Sequence, residues 1–297
     1  MRVLVSGSSG LIGSALVASL REKGHEVVRL VRREVQGADE AWWNPSIGEV
    51  DDAAIASADG VVHLAGAPIG KRWTDDHKKR ILDSRVSGTR TLAQAIAAAT
   101  KPPVLVSASG INFYGFDRGD EEVTETSTTG DGYLAEVSRR WEEETAAAAA
   151  GGARVVVLRT GIVIARKGGA FGPLLPLFKA GLGGPMGRGR AWWSWISLPD
   201  HVRVIERALT DDDLAGPVNS TAPEPARNRE IVKAVGSALH RPAVVPVPPF
   251  GPAILFGREM AKEVANVNLR VLPAKLLERG HRFEFPTIDS AARALFA

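Results

Sequence analysis

Glycines fall three residues apart in Ser6-Gly7-Ser8-Ser9-Gly10-Leu11-Ile12-Gly13, close to the start of the chain, and this spacing limits the fold more than any other feature. The segment joins an apolar run at residues 3–5, which predicts a β-strand, to Leu11, Ile12, Ala15, Leu16, Ala18 and Leu20. The mixed three- and four-residue spacing of that second set predicts an α-helix, and Gly24 follows as its stop. A strand that turns through glycines into a helix is the phosphate-binding corner of a βαβ unit. In that reading Gly7 turns the chain sharply off the strand, Gly10 lets backbone amides approach a pyrophosphate, and Gly13 lets the helix pack on the sheet. The helix start adds unpaired N–H groups and about half a positive charge. The residues expected to face a bound dinucleotide are therefore Gly7, Ser9, Gly10, Leu11, Ile12 and Gly13.

Further strands are predicted at 26–31, 60–64, 103–106 and 154–158, alternating with long helices at 74–100 and 133–150. That alternation predicts an α/β chain with a doubly wound parallel sheet. After Arg159 it stops, as Gly168, Gly169, Pro173, Pro176 and the glycines of 181–189 break the pattern. The expected organisation is a dinucleotide-binding domain over 1–165 and a smaller C-terminal substrate lobe over 166–297. Strands near 191–196 and 216–220 would return to the sheet, and residues from about 245 to 297 would form a small unit of their own. With 297 residues, 44% of them hydrophobic, the chain can bury a substantial core. It has no cysteine, so no disulfide, thiolate metal site or cysteine nucleophile is available, and no His/Asp grouping has metal-ligand spacing. A net charge of +3 with scattered arginines does not predict nucleic-acid binding. The longest apolar runs are too short to span a bilayer, and the chain begins with a strand rather than a signal peptide. The expectation is a soluble cytoplasmic protein with a small-molecule partner and no membrane partner.

The second strand ends Leu30-Val31-Arg32-Arg33, with no carboxylate before Glu34. A site selective for NAD carries Asp or Glu about 20 residues past the glycines, to grip the adenosine ribose 2′-hydroxyl. Guanidinium groups instead suit a 2′-phosphate, through charge-assisted bonds. Val31, Arg32 and Arg33 therefore predict NADP(H), against the plainer reading of a solvated basic loop.

Other short motifs accompany the turn. They include His63-Leu64-Ala65-Gly66, Arg72-Trp73-Thr74, Asp83-Ser84-Arg85, Ser107-Ala108-Ser109 with Tyr114-Gly115, Trp141-Glu142, Arg159-Thr160-Gly161, Trp195-Ile196 with Asp200, and Gly216-Pro217-Val218-Asn219. Together they resemble the extended branch of the short-chain dehydrogenase/reductase superfamily, and within it an atypical group of epimerase-family proteins of unassigned substrate. The stretch from about Pro248, with Leu272-Pro273, resembles the small domain of unknown function that ends this group. The resemblance implies a Rossmann sheet. It also implies that Leu64, Ala65 and Gly66 pass under the adenosine and pyrophosphate, that Arg85 faces the cofactor, and that Val163 lies near the nicotinamide. Asn112, Phe113 and His281 depart from the group's usual residues.

Members of this superfamily use a Tyr and a Lys four residues later, on one helical face, so that the ammonium lowers the phenol pKa as hydride moves. This chain has two tyrosines, Tyr114 and Tyr133, and no lysine between Lys101 and Lys167. At the matching helix the pair reads Val137 and Trp141, with Trp141 expected to fill the space the lysine leaves. The remaining candidates for catalysis are Ser109, where extended enzymes carry a catalytic Ser or Thr, and Tyr114. The structural alternatives are a turn residue for Ser109 and a core aromatic with a satisfied hydroxyl for Tyr114.

By the same resemblance, the segment 181–195 matches one that holds a nucleotide-sugar, which nominates Arg190 and Trp195 as substrate contacts. Two functional readings stand. One is an NADP(H)-dependent oxidoreductase or epimerase-like enzyme acting on a polar substrate, nucleotide-linked compounds included, with a non-standard proton donor. The other is an NADPH-binding sensor or regulatory module without turnover.

Overall fold

In the computed structural model, residues 1–297 are described except Ala170, Pro173 and Pro249 and the side chains of Leu255 and Phe256. The strands are β1 (Arg2–Ser6), β2 (Glu26–Val31), β3 (Glu40–Asn44), β4 (Glu49–Val50), β5 (Gly60–His63), β6 (Val104–Gly110), β7 (Asp117–Val123), β8 (Val155–Thr160), β9 (Ile162–Ile164), β10 (Trp192–Trp193), β11 (Trp195–Ser197), β12 (Gly216–Ser220), β13 (Ala226–Arg227) and β14 (Asn268–Val271). The helices used below are α1 (Leu11–Glu22), α2 (Asp52–Ala56), α3 (Asp75–Ala98), α4 (Tyr133–Glu143), α5 (Ala146–Ala150), α6 (Leu175–Lys179), α7 (Leu198–Thr210) and α8 (Asn228–Ala238). Eight strands form the main sheet in the order β12-β8-β6-β5-β1-β2-β3-β4. All its pairings are parallel except that of β4 with β3.

The order reverses between β1 and β5, so the crevice for a ligand lies outside their carboxyl ends, where Gly7 and Leu64 stand. Apolar side chains leave the strands on both faces, as a sheet covered on both sides requires. Val3, Val5 and Val62 pack with Leu16, Leu20 and the α7 residues Val204 and Ile205. Leu4 and Val61 pack on the other side with Leu92 and Ile96 of α3 and Ile55 of α2. Thr74 caps α3 by accepting from the His77 amide.

The single helix expected at 133–150 is two, α4 and α5. Thr145 interrupts it by turning its hydroxyl onto the Glu142 carbonyl, at 2.7 Å. Residues 216–220 join the main sheet beside β8. Residues 191–196 do not, because β10 pairs with β13 and β11 with β9. The polar strand β7, which carries no apolar alternation to announce it, pairs with β14 near the chain's end.

Candidate active site

Gly7 has φ +70, and a Cβ there would lie 2.8 Å from the Ala65 nitrogen and the Leu64 carbonyl carbon. A Cβ on Gly13 would lie 2.2 Å from the Gly7 oxygen. Gly10 differs: it is the N-cap of α1, with extended backbone, and its missing Cβ would meet only the Gly7 oxygen, at 3.3 Å. No side chain caps α1, so its first amides remain available on the open side of Gly10. The turn is thus closed by backbone on one side and open to an anion on the other, the cradle a pyrophosphate needs.

Ser6 and His63 pin the two strand ends beneath it. Ser6 Oγ lies 2.7 Å from His63 Nδ1 and accepts from the amides of Leu64, at 3.2 Å, and Ala65, at 3.4 Å. With both amides donating to it, the hydroxyl hydrogen goes to His63. Burial, with the Arg85 charge adding to it, pushes the His63 pKa down to about 3, so the ring is neutral.

A cavity of about 430 Å³ opens from this turn. Gly7, Gly10, Leu11, Ile12 and Gly13 form one end, with Leu64 and Arg85 beside them. Ser9 is exposed at the rim. Ala65 and Gly66 continue from Leu64, and a Cβ on Gly66 would press the Arg85 guanidinium at 3.2 Å. Arg85 donates to the carbonyls of Ala67 and Ile81, at 3.0 and 3.1 Å, and lies 5.0 Å from the centre of the Trp141 ring. Burial draws its pKa down to about 10. Ile162 lines the cavity, whereas Val163 turns to the core packed by α1 and α7.

Val31, Arg32 and Arg33 sit at the end of β2, outside this cavity's wall. Arg33 makes two bonds to the Glu40 carboxylate, at 2.9 and 2.6 Å. Arg32 is exposed and makes no hydrogen bond or ion pair among the described residues.

The far wall carries the residues that stand where a Tyr–Lys pair would. Val137, Ser138 and Trp141 of α4 all line the cavity. Among the described residues the buried Trp141 indole nitrogen has no hydrogen-bond partner, and Ser138 donates no hydrogen bond. Ser109, on β6, lines the cavity too, and its hydroxyl donates to Glu142 Oε1 at 2.7 Å. Arg159 grips the same carboxylate through Nε and Nη2, at 3.0 and 2.8 Å.

Of the two readings of Tyr114, the structure places it as the core aromatic. It is fully buried, donates to Asn219 Oδ1 at 2.7 Å and accepts from Arg159 at 2.9 Å. Burial raises its pKa, so it is a core aromatic and presents no phenol to the cavity. Tyr133 spends its hydroxyl on the Lys78 carbonyl, and its pKa is pushed up to about 12, first by burial. Trp195 is also fully buried, its indole donating to the Glu224 carbonyl, which leaves no face for a substrate. Arg190 is exposed and lies off the cavity wall.

Residues the sequence did not single out complete the wall. His201, at the start of α7, is buried with Nδ1 2.7 Å from Ser220 Oγ, and burial pushes its pKa down to about 4. Val264 and Val267 reach in from the C-terminal unit. A lone histidine and two valines carry no spacing signal. Among the described residues no three His, Asp or Glu side chains cluster as metal ligands, and no helix is long and apolar enough to cross a membrane.

Known proteins are similar to this chain in sequence and fold. The profile of the NAD dependent epimerase/dehydratase family matches residues 3–219, and that of a domain of unknown function, DUF1731, matches residues 247–295. An epimerase family protein of Mycobacterium leprae is 40% identical over 97% of this chain and 94% of its own length. The crystal structure of human epimerase family protein SDR39U1 with NADPH superposes with a TM-score of 0.88, at 32% identity, covering 99% of both chains. A structure described as the nucleoside-diphosphate sugar epimerase from Corynebacterium glutamicum is 35% identical, with a TM-score of 0.83, and is matched over 58% of its length by the whole of this chain. With the profile running from the first strand to β12 and relatives aligned nearly end to end, this chain belongs to the NAD dependent epimerase/dehydratase family.

Proposed function

We propose that the chain is an NADP(H)-dependent oxidoreductase or epimerase-like enzyme whose substrate presents a small, uncharged group to the cavity. The observation that carries this reading is that the glycine cradle and the Ser109 hydroxyl open onto one cavity. NADP(H) is favoured by the human relative crystallised with NADPH and by Arg32, a cation free to meet a 2′-phosphate. When bound, the cofactor supplies or accepts a hydride, and the chain must then manage a proton. Ser109 can do so at Oγ: a proton taken up there is matched by passing its own to Glu142, which Arg159 holds in place. Ile69, Ile111, Leu134, Val137, Val264 and Val267 make the surrounding wall apolar. Arg85, the wall's cation, is already bonded to two carbonyls. A nucleotide diphosphate would have to find its cations outside this wall.

The sensor reading draws on Val137 and Trp141, which supply no acid of lowered pKa. Ser109→Ala separates the two. The variant is expected to bind NADPH as the wild type does, and to lose roughly 10²–10⁴ in rate on any small carbonyl or alcohol that the wild type turns over. A wild type that binds NADPH while none of a panel of carbonyls and alcohols changes its nicotinamide absorbance would leave the sensor reading in its place.

A further inference from the structure

Below the amino ends of β1 and β2, at the opposite end of the strands from the glycine turn, a second cavity of about 390 Å³ opens between the end of α1, α7 and the chain at His281 and Arg282. Four side-chain cations stand in its wall, Lys23, Arg203, Arg207 and Arg282, against one carboxylate, Glu206. That carboxylate is already occupied by Lys23 and by the Ser19 hydroxyl, at 2.5 and 2.6 Å. Arg203 reaches Glu284 at 3.0 Å, with both side chains about half exposed, and Arg207 reaches Asp211 at 3.1 Å. Arg282 is exposed and has no partner among the described residues. His281 also lines the cavity, with its ring edge-on to Phe283 and its Nε2 buried without a hydrogen bond.

We propose that this cavity binds a small phosphate-bearing anion, held by Arg282 together with Arg203 or Arg207, beside the His281 ring. A guanidinium without a partner among the described residues is a group that a polyanion satisfies. The aliphatic walls of Leu20 and Leu209 leave room for an organic portion beyond the phosphate. Proton linkage agrees with this geometry. His281 is held below its ordinary pKa by burial first and then by the charges of Arg207 and Arg203, with Asp200 opposing them. An anion between the arginines removes that repulsion, so its binding must raise the His281 pKa.

The test uses the full chain saturated with NADPH, so that the glycine turn is already filled. Inorganic phosphate and, separately, glycerol 3-phosphate are titrated at constant ionic strength while the His281 ring resonance is followed, assigned by its loss in His281→Gln. The expected result is a saturable shift, with a dissociation constant in the millimolar range or below and a raised His281 pKa. Tighter binding of glycerol 3-phosphate marks a phosphate monoester as the natural class, and equal binding marks free phosphate. Arg282→Ala, at an exposed and unpaired side chain, is expected to weaken binding roughly tenfold, the loss of one charge-assisted bond. A shift that never saturates, or binding unchanged in both Arg282→Ala and Arg203→Ala, overturns the proposal.

Discussion

Replacing Gly13 and Gly10 in turn separates two demands that the same glycine-rich corner meets. A methyl group at residue 13 would sit 2.2 Å from the Gly7 oxygen and 2.8 Å from the Ser8 Cα. Both are backbone atoms, so no rotamer change relieves the overlap. Gly7 cannot withdraw either, because it is held at φ +70 against Leu64 and Ala65. Gly13→Ala must therefore pry α1 away from β1, at a cost of about 1–3 kcal/mol, as overpacking does elsewhere. At residue 10 the backbone is extended, φ −76 and ψ 174, which a β-branched residue adopts readily, and the first carbon meets one oxygen at 3.3 Å. Gly10→Val should therefore stay within about 1 kcal/mol of the wild type in stability. Its methyl groups would stand where the pyrophosphate goes, so NADPH affinity should fall by about 100-fold or more, ~3 kcal/mol. Urea unfolding of each variant and titration by nicotinamide fluorescence give both numbers. A Gly13→Ala protein as stable as the wild type, or a Gly10→Val protein that binds NADPH normally, would show that the cradle has been misread.

Two further outcomes follow from charges. Arg32→Ala should weaken NADPH binding roughly 10- to 100-fold and leave NADH binding nearly unchanged. Arg33→Ala should instead act through the Glu40 carboxylate that it holds, and change the ratio of the two affinities little; equal selectivity in wild type and Arg32→Ala would refute the assignment. His63 and His201 titrate at about 3 and about 4 in the folded chain. Unfolded histidine titrates near 6.5, so between these values the unfolded state binds the extra protons and stability is lost as pH falls. Unfolding free energy should drop by about 2 kcal/mol for each of these histidines between pH 7 and pH 5, and His201→Gln should remove its own share of about 2 kcal/mol. A wild-type stability flat over this range would sink the burial argument.

The sheet and its first turn are legible in the sequence because period and glycine spacing are local quantities. Side-chain partnerships across the site are not, because strand register decides them. Parallel pairing sets Ser109 beside Arg159 and Arg159 beside Asn219, bringing together residues far apart in sequence. Tyr114, on the 3₁₀ turn after β6, is drawn into that row by Arg159 and Asn219, which is why a phenol close to Ser109 in sequence is core. Trp195 shows the same limit, since a tryptophan in a glycine-rich neighbourhood reads equally as ligand contact or as packing. Arg32 and Arg33 are adjacent in sequence, and only the position of Glu40 on the neighbouring strand tells the free cation from the bound one.

The C-terminal unit anchors the helix on which Val137 and Trp141 stand. The helix that would carry that pair, α4, begins after Gly132, at φ +115, with no side-chain cap of its own. Its first amides go instead to the buried carboxylate of Glu263, which accepts from Tyr133 at 2.9 Å and from Leu134 at 2.8 Å. The backbone of the same residue accepts from Asn112, beside the end of β6, at 3.1 Å. One glutamate thereby fixes both the helix bearing Val137, Ser138 and Trp141 and the turn that follows Ser109. The next positions, Val264 and Val267, close the cavity itself. A carboxylate at a helix N-terminus is favourable both as a cap and toward the helix dipole, and a Cβ on Gly132 would come within 3.0 Å of it. Where a lysine on α4 would reach down to a cofactor and tie that helix to the site, this chain ties it from above, through residues far along the sequence. The C-terminal unit therefore both anchors α4 and supplies part of the cavity wall.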